Sequence, residues 1–419
     1  MTTDHMSIIG PPEPLRHLMG LRYGQIMVMA LACVIAVGLS LLLHGALGAI
    51  GAVLVIAMGL MAAWIPWNGR HCDEWLSVIA WHGHVRLTAK RALVVRVDDA
   101  GLVWATSAVT KYIGLEVEPL ALQSYEERSQ RTQAFAYAIA ATLSTHSSLS
   151  DISWTISTQV RDPRANSARW VRCHRQGSAH SLLDGYRETL HEGHVETMAQ
   201  HIVMALSAPP LGGEGLDAAV KTLEAELNGT GITLHNLDAA DSGAWLSSLT
   251  GASVRGGDVA LSVAPSWGSA RSGDTACVAY WVEQFPRSGI GPELFADLFV
   301  RHGGVSLQVT MRHMDAATAL RRVRSRRTSS IADATMRRRA GFLASTKAQH
   351  LEDERQRRES RYASGEAGMV LSVIIMMRED EERNTEMVAS LQAKGVGLRR
   401  LNGEHAQRLA AFMDPGMNQ

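Results

Sequence analysis

Few side chains in this sequence stand where chemistry would need them. The stretch His191-Glu192-Gly193-His194 invites a metal reading, since imidazole and carboxylate are common zinc ligands. Its histidines are three positions apart, whereas the His-Glu-x-x-His spacing that aims two imidazoles at one ion sets them four apart. No third ligand accompanies them, so a solvated helix end is the expectation. His82-Gly83-His84 and Cys173-His174 are equally isolated and read as surface residues. No Gly-x-x-x-x-Gly-Lys-Ser/Thr loop occurs, and nucleotide hydrolysis of the usual kind needs its amides and lysine around the phosphates. No Gly-x-Gly-x-x-Gly follows a strand, and no serine or cysteine sits in a nucleophile elbow. These residues name no catalytic group, cofactor or metal ligand, and a non-enzymatic protein is expected.

The strongest polar signal is cationic. Arg321, Arg322, Arg324, Arg326 and Arg327, then Arg337, Arg338 and Arg339, put positive charge on one helical element. Leu320, Val323, Ile331, Ala334 and Phe342 can still pack inward from it. Beyond Leu351, the run Glu352-Asp353-Glu354-Arg355-Gln356-Arg357-Arg358-Glu359 has no apolar face and should project into solvent or against a partner. A basic helix near a membrane can meet lipid phosphates, nucleic acid or an acidic protein surface. A solvated, salt-bridged helix accounts for it equally well. The chain as a whole carries 41 Lys+Arg and 41 Asp+Glu, so nothing global argues for nucleic acid or another anionic partner.

The element that must position these groups runs from Gly24 to Trp67, a stretch without Asp, Glu, Lys or Arg. It is about twice the ~20 apolar residues that cross a bilayer, and His44-Gly45 offers a turn near its middle. Two antiparallel membrane helices are therefore expected, about 24–43 and 46–65, with a buried soluble hairpin as the alternative. Trp64 and Trp67 fall where amphipathic rings favour the lipid–water boundary, as do Arg70 and Trp75 beyond them. Arg16 and Arg22 precede the hairpin; Arg70, Arg86, Lys90 and Arg91 follow it. Cationic flanks stay inside, so a two-pass protein of the inner membrane with both termini cytoplasmic is expected. Asp73–Lys90, with Trp75, Leu76, Ile79, Trp81 and Leu87 among basic groups, reads as an amphipathic juxtamembrane helix. A soluble packing helix is the competing reading.

About 330 of the 419 residues remain for two further domains. Four scattered cysteines (Cys33, Cys72, Cys173 and Cys277) give no disulfide framework and fit a reducing compartment. Leu93–Val97 and Leu102–Thr106 flank Asp98-Asp99-Ala100-Gly101, a hairpin signal. Ser124-Tyr125-Glu126-Glu127 has the spacing of a helix-opening capping box. Helices at Leu182–Leu190 and Leu216–Leu227 alternate with strands at Ile152–Val160, Ile202–Leu206 and Ile232–Leu237. The fold class expected is α+β: a membrane module over 1–91, a first domain over 92–250, a Gly/Ser-rich loop or linker over 251–274, and a second domain over 275–419. The second domain, strand–helix–strand then strand–helix–strand, interrupted by a long helical insertion over 315–362, reads as ferredoxin-like.

Four stretches stand out: Gly69-Arg70-His71-Cys72-Asp73-Glu74-Trp75-Leu76 after the apolar run; Ser181-Leu182-Leu183-Asp184-Gly185-Tyr186; Tyr280-Trp281-Val282-Glu283-Gln284-Phe285-Pro286-Arg287; and Arg327-Thr328-Ser329-Ser330-Ile331-Ala332-Asp333-Ala334 with Arg338-Arg339-Ala340-Gly341-Phe342. In these stretches, taken with the apolar double helix, the chain resembles an actinobacterial family of integral membrane proteins known as PrgI-like, found with type IV-like conjugative secretion machinery. The resemblance implies a cytoplasmic part similar to the N-terminal, non-catalytic domain of the conjugative secretion ATPase, with that ATPase or neighbouring secretion subunits as partners beside membrane lipid. The chain departs from the family at Gly403-Glu404-His405 and Met413-Asp414-Pro415, where relatives have Gly-x-Gln and a Leu-Pro-Leu-like stretch. An EccE-type subunit of a type VII secretion membrane complex, or a membrane-anchored nucleic-acid adaptor using the Arg321–Arg339 segment, are the alternatives.

Overall fold

The structure is a computed structural model that describes residues 8–9, 16–18, 21–43, 45–65, 70–88, 93–117, 124–161, 197–273, 275–286, 294–301, 304–339, 353, 356–357, 359–364 and 368–414. Two short strands, β2 (Arg16–Leu18) and β3 (Leu21–Arg22), follow β1 (Ile8–Ile9) and lead into helix α1 (Tyr23–Leu42); α2 (Ala46–Trp64) returns beside it. Gly45, at φ 90°, makes the turn in a conformation that favours glycine. Both helices are long and apolar enough to cross a membrane. They pack on each other through small residues: Gly48, Gly59 and Ala63 are buried, and Gly59 leaves room for the Ala32 methyl. Their other faces are bare, with Leu31 60%, Leu42 79%, Leu47 74% and Val53 66% exposed. A hairpin buried in a soluble core would hide these side chains.

After α3 (Cys72–Thr88) the chain is mixed α+β. Strands β4 (Leu93–Val97) and β5 (Leu102–Trp104) form the hairpin expected from Asp98-Asp99-Ala100-Gly101. Its Asp98 carboxylate accepts the Leu102 N–H at 2.8 Å. A first half then runs β6 (Val109–Val117), α4 (Tyr125–Thr145), β7 (Asp151–Arg161), β8 (Thr197–Ala208), α5 (Leu216–Leu227) and β9 (Ile232–Asn236). The capping box at Ser124 and Glu127 opens α4. The helix expected at Leu182–Leu190 lies outside the described residues. After α6 (Ala239–Thr250), the stretch expected as a Gly/Ser-rich loop or linker, 251–274, contains four strands instead: β10 (Ser253–Arg255), β11 (Asp258–Leu261), β12 (Val263–Pro265) and β13 (Ala270–Ser272). Its glycines and serines sit at tight turns between short strands, where a flexible composition and a hairpin composition look alike.

A second half repeats the order of the first: β14 (Thr275–Gln284), α7 (Ala296–Arg301), β15 (Val305–Met314), β16 (Gly368–Arg378), α9 (Glu381–Ala393) and β17 (Gly397–Arg400). Between β15 and β16 it carries α8 (Ala316–Arg339), the expected arginine-rich helix, with further helical residues at 359–363. In each half the fourth strand pairs with the first, the first with the third and the third with the second. Antiparallel pairing of the two second strands, β7 with β15, joins the halves edge to edge. With β10–β13, β4, β5 and β1 they make one fifteen-stranded sheet.

Strand periodicity sets the two faces. On one face α4 and α5 cover the first half through Ile139, Leu143, Leu216 and Leu223. There α7 and α9 cover the second half through Leu298, Phe299, Met387 and Leu391. On the other face one apolar cluster unites Val95 and Val259, near one end of the sheet, with Ala270 and Cys277, near the other. The sheet is therefore curled, and its hollow is filled by the segment after β17: α10 (His405–Ala410) and the buried Ala411, Phe412, Met413 and Asp414.

Candidate functional site

Residues from four parts of the chain converge where the apolar helices meet the sheet. Arg70 is 3% exposed, and its Nη2 donates to Glu404 Oε2 at 2.6 Å. The guanidinium also stands over the Trp75 ring, 5.4 Å from its centroid. Trp75 stacks on Trp267 with centroids 5.5 Å apart, and His82 meets the same Trp267 ring edge-on at 5.4 Å. Gly403 closes the turn beside them at φ 79°, and a Cβ there would come 2.8 Å from Val78 Cγ1 and 3.0 Å from the Trp267 ring. Only glycine suits both the backbone and the space. On the side of the apolar helices, buried Gln25 donates to the Ala63 carbonyl at 2.6 Å and lies 2.9 Å from His71 Nδ1. Polar contacts thus tie α1 and α2 to α3, and α3 to the turn that follows β17.

The same turn is rich in charge. His405 Nδ1 accepts the Ala279 N–H at 3.0 Å. Burial first, then the nearby Arg400, Arg70 and His82, lower its pKa to about 3, so the imidazole is neutral. Burial also pulls Arg408 below the usual arginine range, opposed by Glu404. Arg399 stacks over Trp281 at 4.4 Å and donates to Glu283 at 3.4 Å. Further along, Asp414 accepts from the amide and hydroxyl of Ser107, and the Tyr112 hydroxyl donates to the Phe412 carbonyl at 2.7 Å.

These positions revise part of the sequence expectation. Arg70 and Trp75, expected at the lipid–water boundary, also contact protein: a cation this deeply buried needs a carboxylate, and Glu404 supplies it. His82, expected as a surface residue, is half-buried in the joint. Trp64 ends α2 at 66% exposure, and Leu76, Ile79 and Trp81 stay exposed on α3. Trp67, the His191–His194 stretch and Cys173-His174 lie outside the described residues. Sequence reasoning missed Trp267 and Glu404. A lone tryptophan in a presumed Gly/Ser linker was the available signal, since aromatic rings favour ring stacking, although Trp267 keeps 39% exposure.

The structure divides the arginines of α8. Arg324 Nε and Arg327 Nη1 reach the two oxygens of Glu359, at 3.2 and 2.6 Å, and these contacts hold the Glu359 carboxyl below its usual range. Arg321 bends back to Thr318 of its own helix, yet it and Arg339 remain exposed, and Arg322 is half-buried. The side chains of Arg326, Arg337 and Arg338 lie outside the described ones. Met314, Ala319, Val323 and Tyr362 form the apolar base of this element.

Between the two halves lies a polar seam on the hollow face of the sheet. Register places Ser157 opposite Ser306, Thr155 opposite Gln308 and Ser153 opposite Thr310. Asp151 at its end is fully buried, 3.9 Å from Arg312, and burial raises its pKa against that pairing. Ser153 Oγ, Ser157 Oγ and Gln308 Oε1 have no hydrogen-bond partner among the described residues. Among those residues no group of three or more His, Cys, Asp or Glu side chains could hold a metal ion. Comparison with protein-family models and with curated proteins gives no match to the chain.

Proposed function

We propose that the protein is a non-enzymatic, membrane-anchored adaptor of a type IV-like transfer or secretion apparatus. On this reading α1 and α2 cross the inner membrane, both termini lie in the cytoplasm, and two ferredoxin-like units present docking surfaces to a separate ATPase or to neighbouring subunits. The observation that carries it is the joint built from Arg70, Glu404, Trp75 and Trp267. Two bare apolar helices are locked by buried polar contacts to a large sheet, an arrangement suited to holding a rigid platform at a bilayer. The strand order within each half and the four family-like stretches support the finer identification. Purification of the full chain from membranes of its own cells, with the associated proteins identified by mass spectrometry, tests it. A transfer ATPase or coupling component should accompany the wild type, and its absence refutes the docking role.

A further inference from the structure

The fold brings the arginine-rich helix to the foot of the membrane hairpin, which the sequence alone did not place. Helix α8 lies against β2, and β2 and β3 both contact α1, which begins directly after β3. Within that small hairpin Arg16 and Arg22 are cross-strand partners. Helix α8 adds eight arginines against one aspartate over 24 residues. Among the described residues one carboxylate, Glu359, serves both Arg324 and Arg327.

We propose that Arg16, Arg22 and the arginines of α8 form a basic collar that binds the anionic phospholipid headgroups of the cytoplasmic leaflet. The inference rests on the membrane reading of α1 and α2. Continuity with the hairpin singles out lipid: any headgroup beside α1 lies next to β2, and hence next to α8. Polybasic segments at this depth are drawn to anionic leaflets within about one Debye length. Contact along α8 would hold the sheet at a fixed tilt to the bilayer.

The full chain is reconstituted in nanodiscs of phosphatidylcholine alone or with about 30% phosphatidylglycerol, and trypsin cleavage at Arg321–Arg339 is timed against cleavage at exposed Arg255 in the same sample. Anionic discs should slow cleavage within α8 by about fivefold relative to Arg255, and about 0.5 M salt should abolish the difference. The variant Arg16→Gln/Arg321→Gln/Arg339→Gln should show measurably weaker protection while its remaining sites are still cut. Equal rates in both disc types overturn the inference. So does protection that appears only when duplex DNA is added to neutral discs, which would assign the collar to nucleic acid. A chain that stays out of the discs overturns the membrane reading and this inference with it.

Discussion

Replacing Glu404 by Gln keeps the shape of the joint and removes its charge. Arg70 then remains at 3% exposure without its carboxylate, and Arg408, which also feels Glu404, loses its counter-charge. Two unit charges about 4 Å apart interact by about 4 kcal/mol at an effective dielectric near 20. Breaking a buried pair from one side costs ~3–5 kcal/mol. Because the Glu404 side chain keeps 20% exposure, a loss of about 2–4 kcal/mol is expected after allowing for solvent screening. Urea unfolding of the detergent-solubilised full chain, followed by tryptophan fluorescence, reads it directly, since Trp75 and Trp267 sit in the joint. Arg70→Met should cost a similar amount, and the double variant Arg70→Met/Glu404→Leu should recover part of either loss, because Arg70 no longer leaves a buried charge unpaired while Arg408 still lacks Glu404. A Glu404→Gln variant within about 0.5 kcal/mol of wild type, the range of ordinary surface substitutions, would refute the assignment of the pair as the lock of the joint.

Four further outcomes are expected. The folded chain keeps His405 neutral down to a pH of about 3, whereas an unfolded chain protonates it near 6.5. Its contribution is complete above about pH 6.5 and falls by ~1.4 kcal/mol per unit as the solution is acidified toward 3. Denaturation midpoints should therefore drop more steeply on acidification in wild type than in His405→Gln. Gly403→Ala, strained at φ 79° and crowded by Val78 and Trp267, should lose about 1–3 kcal/mol in the same urea assay. Gln308→Met, which removes a buried acceptor that lacks a partner among the described residues, should be neutral or stabilise by about 1 kcal/mol, and a clear loss would show that the amide is satisfied. Cys33 is exposed on α1; in intact membranes it should resist a charged maleimide that labels it after solubilisation in SDS.

Local chemistry was the legible part of the sequence. Apolar length, the Gly45 turn, the Asp98–Gly101 hairpin and the Ser124–Glu127 box each act within a few residues, and each appears in the structure near its expected place. The succession of strands and helices along the chain was also legible, because alternation marks strands even where their partners are unknown. Pairings between distant residues were hidden. Nothing near Arg70 signals that its carboxylate comes from Glu404, and nothing near Ser107 points to Asp414. The Gly/Ser-rich stretch misled because short strands at tight turns share a linker's composition, and only pairing of β11 with β4 and of β13 with β14 distinguishes the two. Positions set down as departures from the resembled family, Gly403-Glu404-His405 and Met413-Asp414, form the joint and fill the hollow of the sheet, so they carry stability whatever the family assignment.

Arg70 and Glu404 are 334 residues apart, and that distance is also a time. At roughly 5–20 residues per second a ribosome needs about 17–67 s to cover those 334 residues. On the proposed membrane reading, α1 and α2 enter the bilayer during this interval, while Arg70 is still an unpaired cation at the end of the hairpin. It then belongs to the charge that holds the flank on the cytoplasmic side. Once Glu404 emerges and the sheet curls closed, the same guanidinium is drawn into the joint. On that reading Arg70 would first help orient the nascent hairpin and afterwards lock the finished protein to it.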